Sequence, residues 1–222
     1  MDTTSPARTL ISVYERLLAT YGAQYWWPAK TPFEVMVGAI LTQNSAWVNV
    51  EKAIRRLEES GCLSAAALRR IDEAELSQLI YSCGYYRAKA RKLKVLASWL
   101  EETSGDNLEK LFALEADELR RQLVAVHGVG PETADSIMLY AGGKPSFVID
   151  AYTRRILSLL GLASGKESYD ALKRLFENNL PSDVDLFKEY HALLVRHGKD
   201  FCRKRPLCDE CCLIDICQNL SI

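Results

Sequence analysis

The last stretch of the chain crowds five cysteines together: Cys202, Cys208, Cys211, Cys212 and Cys217. Cys202, Cys208, Cys211 and Cys217 read as C-x5-C-x2-C-x5-C, four thiolates that suit either a [4Fe-4S] cluster or a structural zinc ion. Cys62 and Cys83 stand apart, and seven cysteines in all do not form a simple disulfide framework. In a reducing compartment such clustered thiols hold metal more often than they pair. A second candidate is the run "HGVGPETA", with His127, Gly128, Val129 and Gly130 ahead of Pro131 and Glu132. The two glycines are expected to take backbone angles closed to other residues, and Pro131 fits the first turn of a following helix. Bare amides at the positive end of a helix dipole seat a phosphate, although an ordinary corner between helices has the same composition. The third candidate is Asp150 in "FVIDAY", whose residue type and place also suit the N-cap of the helix "AYTRRILSLL".

Helices are expected to position all three. Leu10, Val13, Tyr14, Leu17 and Leu18 recur three and four apart, the stripe of a buried helix face. "TPFEVMVGAILTQ" opens with Thr31 as N-cap, Pro32 at the first helical position and Glu34 three past the cap, a capping box. Asp72 and Glu75 repeat the pattern in "IDEAEL", and Leu119, Leu123 and Val126 mark a short helix leading into the glycine turn. No alternating strand stands out, and the fold class is all-α with about ten to twelve short helices. "AGGKPS", residues 141–146, reads as a soft boundary.

The composition is 48% apolar, which is that of a globular chain. The formal net charge is −1, so a polyanionic partner must be met by local clustering. "GYYRAKARKLK" supplies such a cluster: Arg87, Arg91 and Lys94 fall at i, i+4 and i+7 on one helical face, suited either to backbone phosphates or simply to water. Tyr85 and Tyr86 either line a cleft or pack. Aromatic residues gather in "QYWWPAKTPFE", with Trp26, Trp27 and Pro28, and again at Trp47. Adjacent tryptophans serve as packing residues or as the walls of a pocket. The polar start carries no secretory or membrane-spanning pattern, and a cytoplasmic protein without membrane partners is expected.

The hairpin "HGVGPETA", then "FVIDAYTRRIL" about twenty residues later, then the cysteine array resemble, in that order, the helix-hairpin-helix DNA glycosylases of the endonuclease III superfamily. The resemblance covers roughly residues 25 to 217. It implies two helical lobes, a bundle over residues 24–144 and a discontinuous lobe over 1–23 and 145–222, with double-stranded DNA bound across the cleft. It implies that Asp150 is catalytic, steadying positive charge on the sugar as an N-glycosidic bond breaks. Strand-cleaving relatives carry a lysine in a "GVGRKTA"-like run, where its amine forms a Schiff base. Glu132 stands there, which implies a monofunctional enzyme, with Lys144 as a possible substitute amine.

The "WWP" run resembles the 3-methyladenine DNA glycosylase branch, type III. That likeness implies a base pocket of Trp26, Trp27, Pro28, Trp47 and Glu132 around a cationic alkylated purine, which tryptophan faces attract by about 0.5–2 kcal/mol. Gln43 in "ILTQN" matches a glutamine that fills the gap left by a flipped base; alone, it reads equally as a helix-end residue bonded to backbone. The family's cysteine pattern is C-x6-C-x2-C-x5-C with iron–sulfur; the first gap here is one residue shorter, Cys212 is the spare, and zinc is the runner-up. Arg203, Lys204 and Arg205 inside that loop fit a phosphate-facing role. The rivals are a bifunctional glycosylase/lyase for oxidised pyrimidines, an adenine-mismatch glycosylase, and a module that binds damaged DNA without cutting. A monomer working within the nucleoid is expected, and His191 and His197 receive no role.

Overall fold

The computed structural model describes residues 5–203 and 205–218, so Lys204 lies outside the described residues. Among them are twelve α-helices and no strand. The chain divides into two units, Ala29–Lys144 and Met1–Pro28 with Pro145–Ile222. Residues 24–28, which carry Trp26 and Trp27, therefore group with the discontinuous unit rather than with the bundle. No helix among the described residues is long and apolar enough to cross a membrane.

The continuous unit is built around α2 (Pro32–Leu41), in which every residue from Glu34 to Leu41 is buried. Thr31 caps it by accepting from the Glu34 N–H at 3.1 Å. Glu34 reaches back to the Lys30 N–H at 2.9 Å, one residue earlier than a capping box expects. α3 (Trp47–Glu59), α4 (Ala65–Arg70) and α5 (Glu73–Leu79) lead to α6 (Tyr86–Ser104). α6 turns Lys89, Ala90, Leu93, Leu96, Ala97 and Leu100 inward at helical spacing, and α4 and α5 pack along it. After α7 (Leu108–Phe112), α8 (Ala116–Ala125) and α9 (Pro131–Ser136) flank the glycine turn, and α9 runs on into a π-turn over Ile137–Ala141. The Arg120 guanidinium of α8 grips Asp135 of α9 through two bonds, 2.8 and 3.1 Å. Asp135 is fully buried, so this fork fixes the angle between the two arms of the hairpin.

The discontinuous unit joins α1 (Pro6–Tyr21) to α10 (Ala151–Leu159), α11 (Tyr169–Glu177) and α12 (Val184–Asp200). Leu10, Val13 and Leu17 of α1 are buried, as their spacing requires. Phe147 stacks on Phe176 at 3.8 Å between ring centres, and Phe187 and Tyr190 meet Phe147 edge-on. Phe147, Val148 and Ile149 form no strand. They are a buried segment without regular secondary structure whose backbone is met by side chains: the Phe147 N–H donates to Glu177 at 2.9 Å and the Ile149 N–H to the Tyr169 hydroxyl at 3.3 Å. That segment delivers Asp150 to the start of α10.

Arg120→Met removes the guanidinium that makes two bonds to the fully buried Asp135 carboxylate. A loss of about 3–5 kcal/mol in unfolding free energy is expected, measured by urea denaturation.

Candidate functional site

In the continuous unit the glycine turn borders a pocket of about 460 Å³, lined by Gln43, Lys92, Gly128, Gly130, Glu132 and Thr133 among others. Gly128 has φ of +92°, and a Cβ there would fall 2.3 Å from Lys92 Cγ. The turn therefore requires glycine at 128 twice over, by conformation and by space. Gly130 differs from the expectation: its φ is −88°, ordinary extended backbone, and a Cβ would meet nothing within 4 Å. Its bareness leaves room beside the chain; it does not relieve a strained angle. Val129 is also corrected. Its N–H turns inward to Val126 O at 3.0 Å and its side chain is buried, so it closes the turn and offers no amide outward. His127 is exposed, and Glu132 is exposed in the first turn of α9, where the helix dipole favours negative charge.

Gln43 is a strut, not a free wedge. Its amide donates to Gly128 O at 2.9 Å and to Thr133 Oγ1 at 3.0 Å, while its carbonyl accepts from Lys92 Nζ at 2.6 Å. Three of its hydrogen-bonding valences thus join the end of α2 to both sides of the hairpin. Entry into a DNA stack would require releasing all of them.

The basic face of α6 also needs correction. Lys94 Nζ donates to the carbonyls of Leu68, Arg69 and Ile71 at 3.1, 3.0 and 2.5 Å, closing the C-terminus of α4. Arg91 pairs with Glu73 at 2.9 Å, and Arg87 lies over the Tyr86 ring at 6.0 Å, both at the surface. Lys92, which the i, i+4, i+7 reading passed over, is the basic residue of this helix that reaches the hairpin pocket. The signal was the three-residue step from Lys89. Lys89 is buried and donates to Leu41 O and Cys83 O, both at 2.8 Å, capping α2. Burial pushes its ammonium below the usual lysine range. Tyr85 precedes α6 in the left-handed region, φ +45°, and is largely exposed.

Asp150 belongs to the discontinuous unit and does cap α10: Oδ1 accepts from the Thr153 N–H at 2.7 Å. Oδ2 lies 3.9 Å from His191 Nε2 on α12, with side-chain exposures of 14% for Asp150 and 8% for His191. Burial pushes the imidazole of His191 below its ordinary range, against the pull of Asp150, so the pair favours a neutral ring. Trp26 and Trp27 are half-buried with ring centres 5.6 Å apart and tilted by 41°; Pro28 beside them is exposed. Trp47 belongs to the other unit, where its indole N–H donates to Glu51 at 2.7 Å.

Cys202, Cys208, Cys211 and Cys217 line one small apolar pocket of about 40 Å³, together with Leu159 and Phe201. Cys212 is not part of that lining; its carbonyl accepts from Arg16 of α1 at 3.2 Å. Two single-turn helices, Cys208–Glu210 and Ile214–Ile216, shape the loop. Arg155 secures its start by donating to Cys202 O and Gly198 O, both at 2.7 Å. Among the described residues no three His, Cys, Asp or Glu side chains are gathered closely enough to hold a single metal ion. Zinc would need four thiolate sulfurs about 2.3 Å from one point. A cluster bound with one thiolate to each iron is met by a wider ring. Arg203 and Arg205 of this loop are exposed.

The sequence pattern described as HhH-GPD superfamily base excision DNA repair protein matches residues 37–182. A protein of Methanocaldococcus jannaschii named as a DNA repair glycosylase is 47% identical over 212 residues, 95% of this chain and 96% of its own length. The solved structure of Helicobacter pylori 3-methyladenine DNA glycosylase, bound to 1,N6-ethenoadenine, is similar with a TM-score of 0.76 at 25% identity, over 88% of this chain and 98% of that one. Endonuclease III in a non-covalent complex with DNA shares the fold at a TM-score of 0.83 and 22% identity, over 96% and 95% of the two chains.

Two pairs of variants test these assignments. Gly128→Ala is expected to destabilise by roughly 1–3 kcal/mol, whereas Gly130→Ala stays within about 0.5 kcal/mol, both read by thermal or urea unfolding. Lys94→Met is expected to cost about 1–3 kcal/mol and leave the salt dependence of DNA binding unchanged. Arg87→Ala should lower that slope by about one unit at unchanged stability.

Proposed function

We propose, given that the chain belongs to the HhH-GPD superfamily of base excision DNA repair proteins and is a DNA glycosylase, that it hydrolyses the N-glycosidic bond of an alkylated purine, 3-methyladenine first among them, and leaves the strand intact. Asp150 is the residue that carries the chemistry. One carboxylate oxygen is pinned by the Thr153 N–H while the side chain as a whole stays 14% exposed, and this is the observation on which the reading rests. A carboxylate held so steadies the positive charge that develops on deoxyribose and orients the attacking water. An N3-alkylated adenine is already cationic, so its departure needs no strong general acid. The half-buried faces of Trp26 and Trp27 suit such a base by cation–π attraction. The likeness to the Helicobacter pylori 3-methyladenine enzyme supports the same substrate class.

The hairpin serves the DNA backbone: Gly130, exposed and with open space where a side chain would stand, admits a phosphate near the N-terminus of α9. The enzyme acts as a monomer on duplex DNA that carries the damaged base. The C-terminal loop holds a [4Fe-4S] cluster through Cys202, Cys208, Cys211 and Cys217. That group supplies a covalent cross-link for a loop with little core of its own, and base hydrolysis requires no electron from it.

Glu132 stands where a lyase would need an amine, which favours the monofunctional reading. One observation favours a lyase instead: the Lys92 ammonium borders the same pocket as Glu132. Borohydride reduction of the protein on DNA with an abasic site decides between them, because only an imine leaves a stable adduct.

The substrate test uses duplexes carrying methylated, oxidised or mismatched bases, with free base and strand nicks read separately. Release of methylated purine without nicking is expected. Asp150→Asn should slow release by at least about 10²-fold while DNA binding persists. Unchanged release in that variant sinks the catalytic assignment.

A further inference from the structure

His197 of α12 is 1% exposed, with a partner at each ring nitrogen. Nε2 lies 3.6 Å from Cys211 Sγ, a normal separation for a bond to the larger sulfur atom, and Nδ1 lies 2.8 Å from the Tyr21 hydroxyl. Phe201 stacks on the same imidazole, ring centres 6.1 Å apart and planes within 14°. Tyr21 is the last residue of α1, and Arg196 lies over its ring at 5.0 Å. Histidine, tyrosine and cysteine therefore come from three separate segments of one unit and meet at the edge of the cysteine pocket.

We infer that Tyr21, His197 and Cys211 form one directed hydrogen-bond chain that holds the Cys211 ligand and tunes the cluster bound there. The inference rests on the iron–sulfur reading of the loop. Its direction follows from valence. A cysteine bound to metal is a thiolate with no proton to give, so it only accepts. The proton between His197 and Cys211 must then be on Nε2. A neutral imidazole with its proton on Nε2 has a lone pair on Nδ1, and the Tyr21 hydroxyl must be the donor there. Where Cys211 carries its own proton, the chain runs the other way, from Sγ–H to Nε2 and from Nδ1–H to Tyr21. Ligation and tautomer are thus linked.

Two consequences follow for a bound cluster. A donor on the ligand sulfur draws charge from the metal–sulfur bond and raises the reduction potential. A ligand held in place by such a neighbour also dissociates less readily. His197 is almost wholly buried, which keeps water from competing for the N–H.

The test compares anaerobically prepared holoprotein of wild type, His197→Phe, His197→Gln and Tyr21→Phe. Iron and acid-labile sulfide are counted first. Reduction potential is then read by film voltammetry, and iron retention is read against a chelator. His197→Phe keeps an aromatic ring and loses the donor. Its potential should move negative, and retention should fall about 10- to 100-fold. His197→Gln retains an N–H and should recover most of both. Tyr21→Phe should shift both in the same direction by less. If His197→Phe fails to fold, Tyr21→Phe carries the test, since it removes a single oxygen. Unmoved potential and retention in the variants that fold overturn the chain. Wild-type protein that holds zinc overturns the cluster reading alone, and the retention series then tests the chain on zinc. Protein that holds neither metal overturns both.

Discussion

A fold made of short helices is dominated by helix ends. Each end leaves about four backbone groups without an intrahelical partner, and burying one unpaired costs about 1–3 kcal/mol. Polar side chains throughout this protein are placed to meet that requirement. Lys89 closes α2 from inside the core, Lys94 closes α4, and Arg155 takes the carbonyls where α12 gives way to the cysteine loop. Gln43 ties the end of α2 to the hairpin. These groups are long or charged, and most come from a different helix than the one they complete. Satisfying the ends and packing the helices are therefore a single process here, and the hairpin pocket takes its shape from it.

The same requirement decides what the sequence reveals. Fold class and most helix starts follow from local pattern, whereas setting Cys212 apart from the other four cysteines needed the resemblance. N-caps such as Thr31, Asp72 and Asp150 bond to residues two or three positions away, so their partners are written beside them. C-terminal capping by Lys94 is different, because the carbonyls it serves lie more than twenty residues off. Lys94 on α6 bonds to Leu68, and nothing within its own helix indicates so. A helical-wheel reading places Arg87, Arg91 and Lys94 together on one side of α6. It is silent about which cations are already committed, as Lys94 is, and its spacing passes over Lys92. Gly128 and Gly130 present the same difficulty. Their spacing is symmetric, but only Gly128 has Lys92 packed against it.

On the proposed reading, Asp150 satisfies a structural and a chemical requirement together. Capping uses Oδ1 and fixes the carboxylate plane, since the Thr153 N–H belongs to a helix that cannot turn to follow it. The buried run Phe147–Ile149 fixes the backbone on the other side. A side chain held from both directions loses little entropy when its remaining oxygen meets a developing charge, which is what electrostatic preorganisation requires. Had the cap been serine, the helix would start equally well and the second oxygen would be missing. The choice of aspartate among good capping residues is thus informative where the presence of a cap is not.

The cysteine loop obeys a different economy. Between Cys202 and Cys217 the described residues hold two single helical turns, and Leu213 is the one buried apolar residue among them. So small an apolar surface does not offset the ordering of the segment, which costs about 1–2 kcal/mol per residue in backbone entropy alone. Contacts from outside supply part of the difference: Arg16 reaches Cys212 O and Asp215, and the Gln218 N–H donates to Leu159 O at 3.0 Å. Four cysteines line one pocket, and the cluster proposed for it would supply a cross-link of the strength that is still needed. On the proposed cluster reading the loop depends on its ligands more than on its packing, and the neighbours of each sulfur count among its structural residues. Tyr21 and His197, which do nothing for the helix ends, find their place on that account.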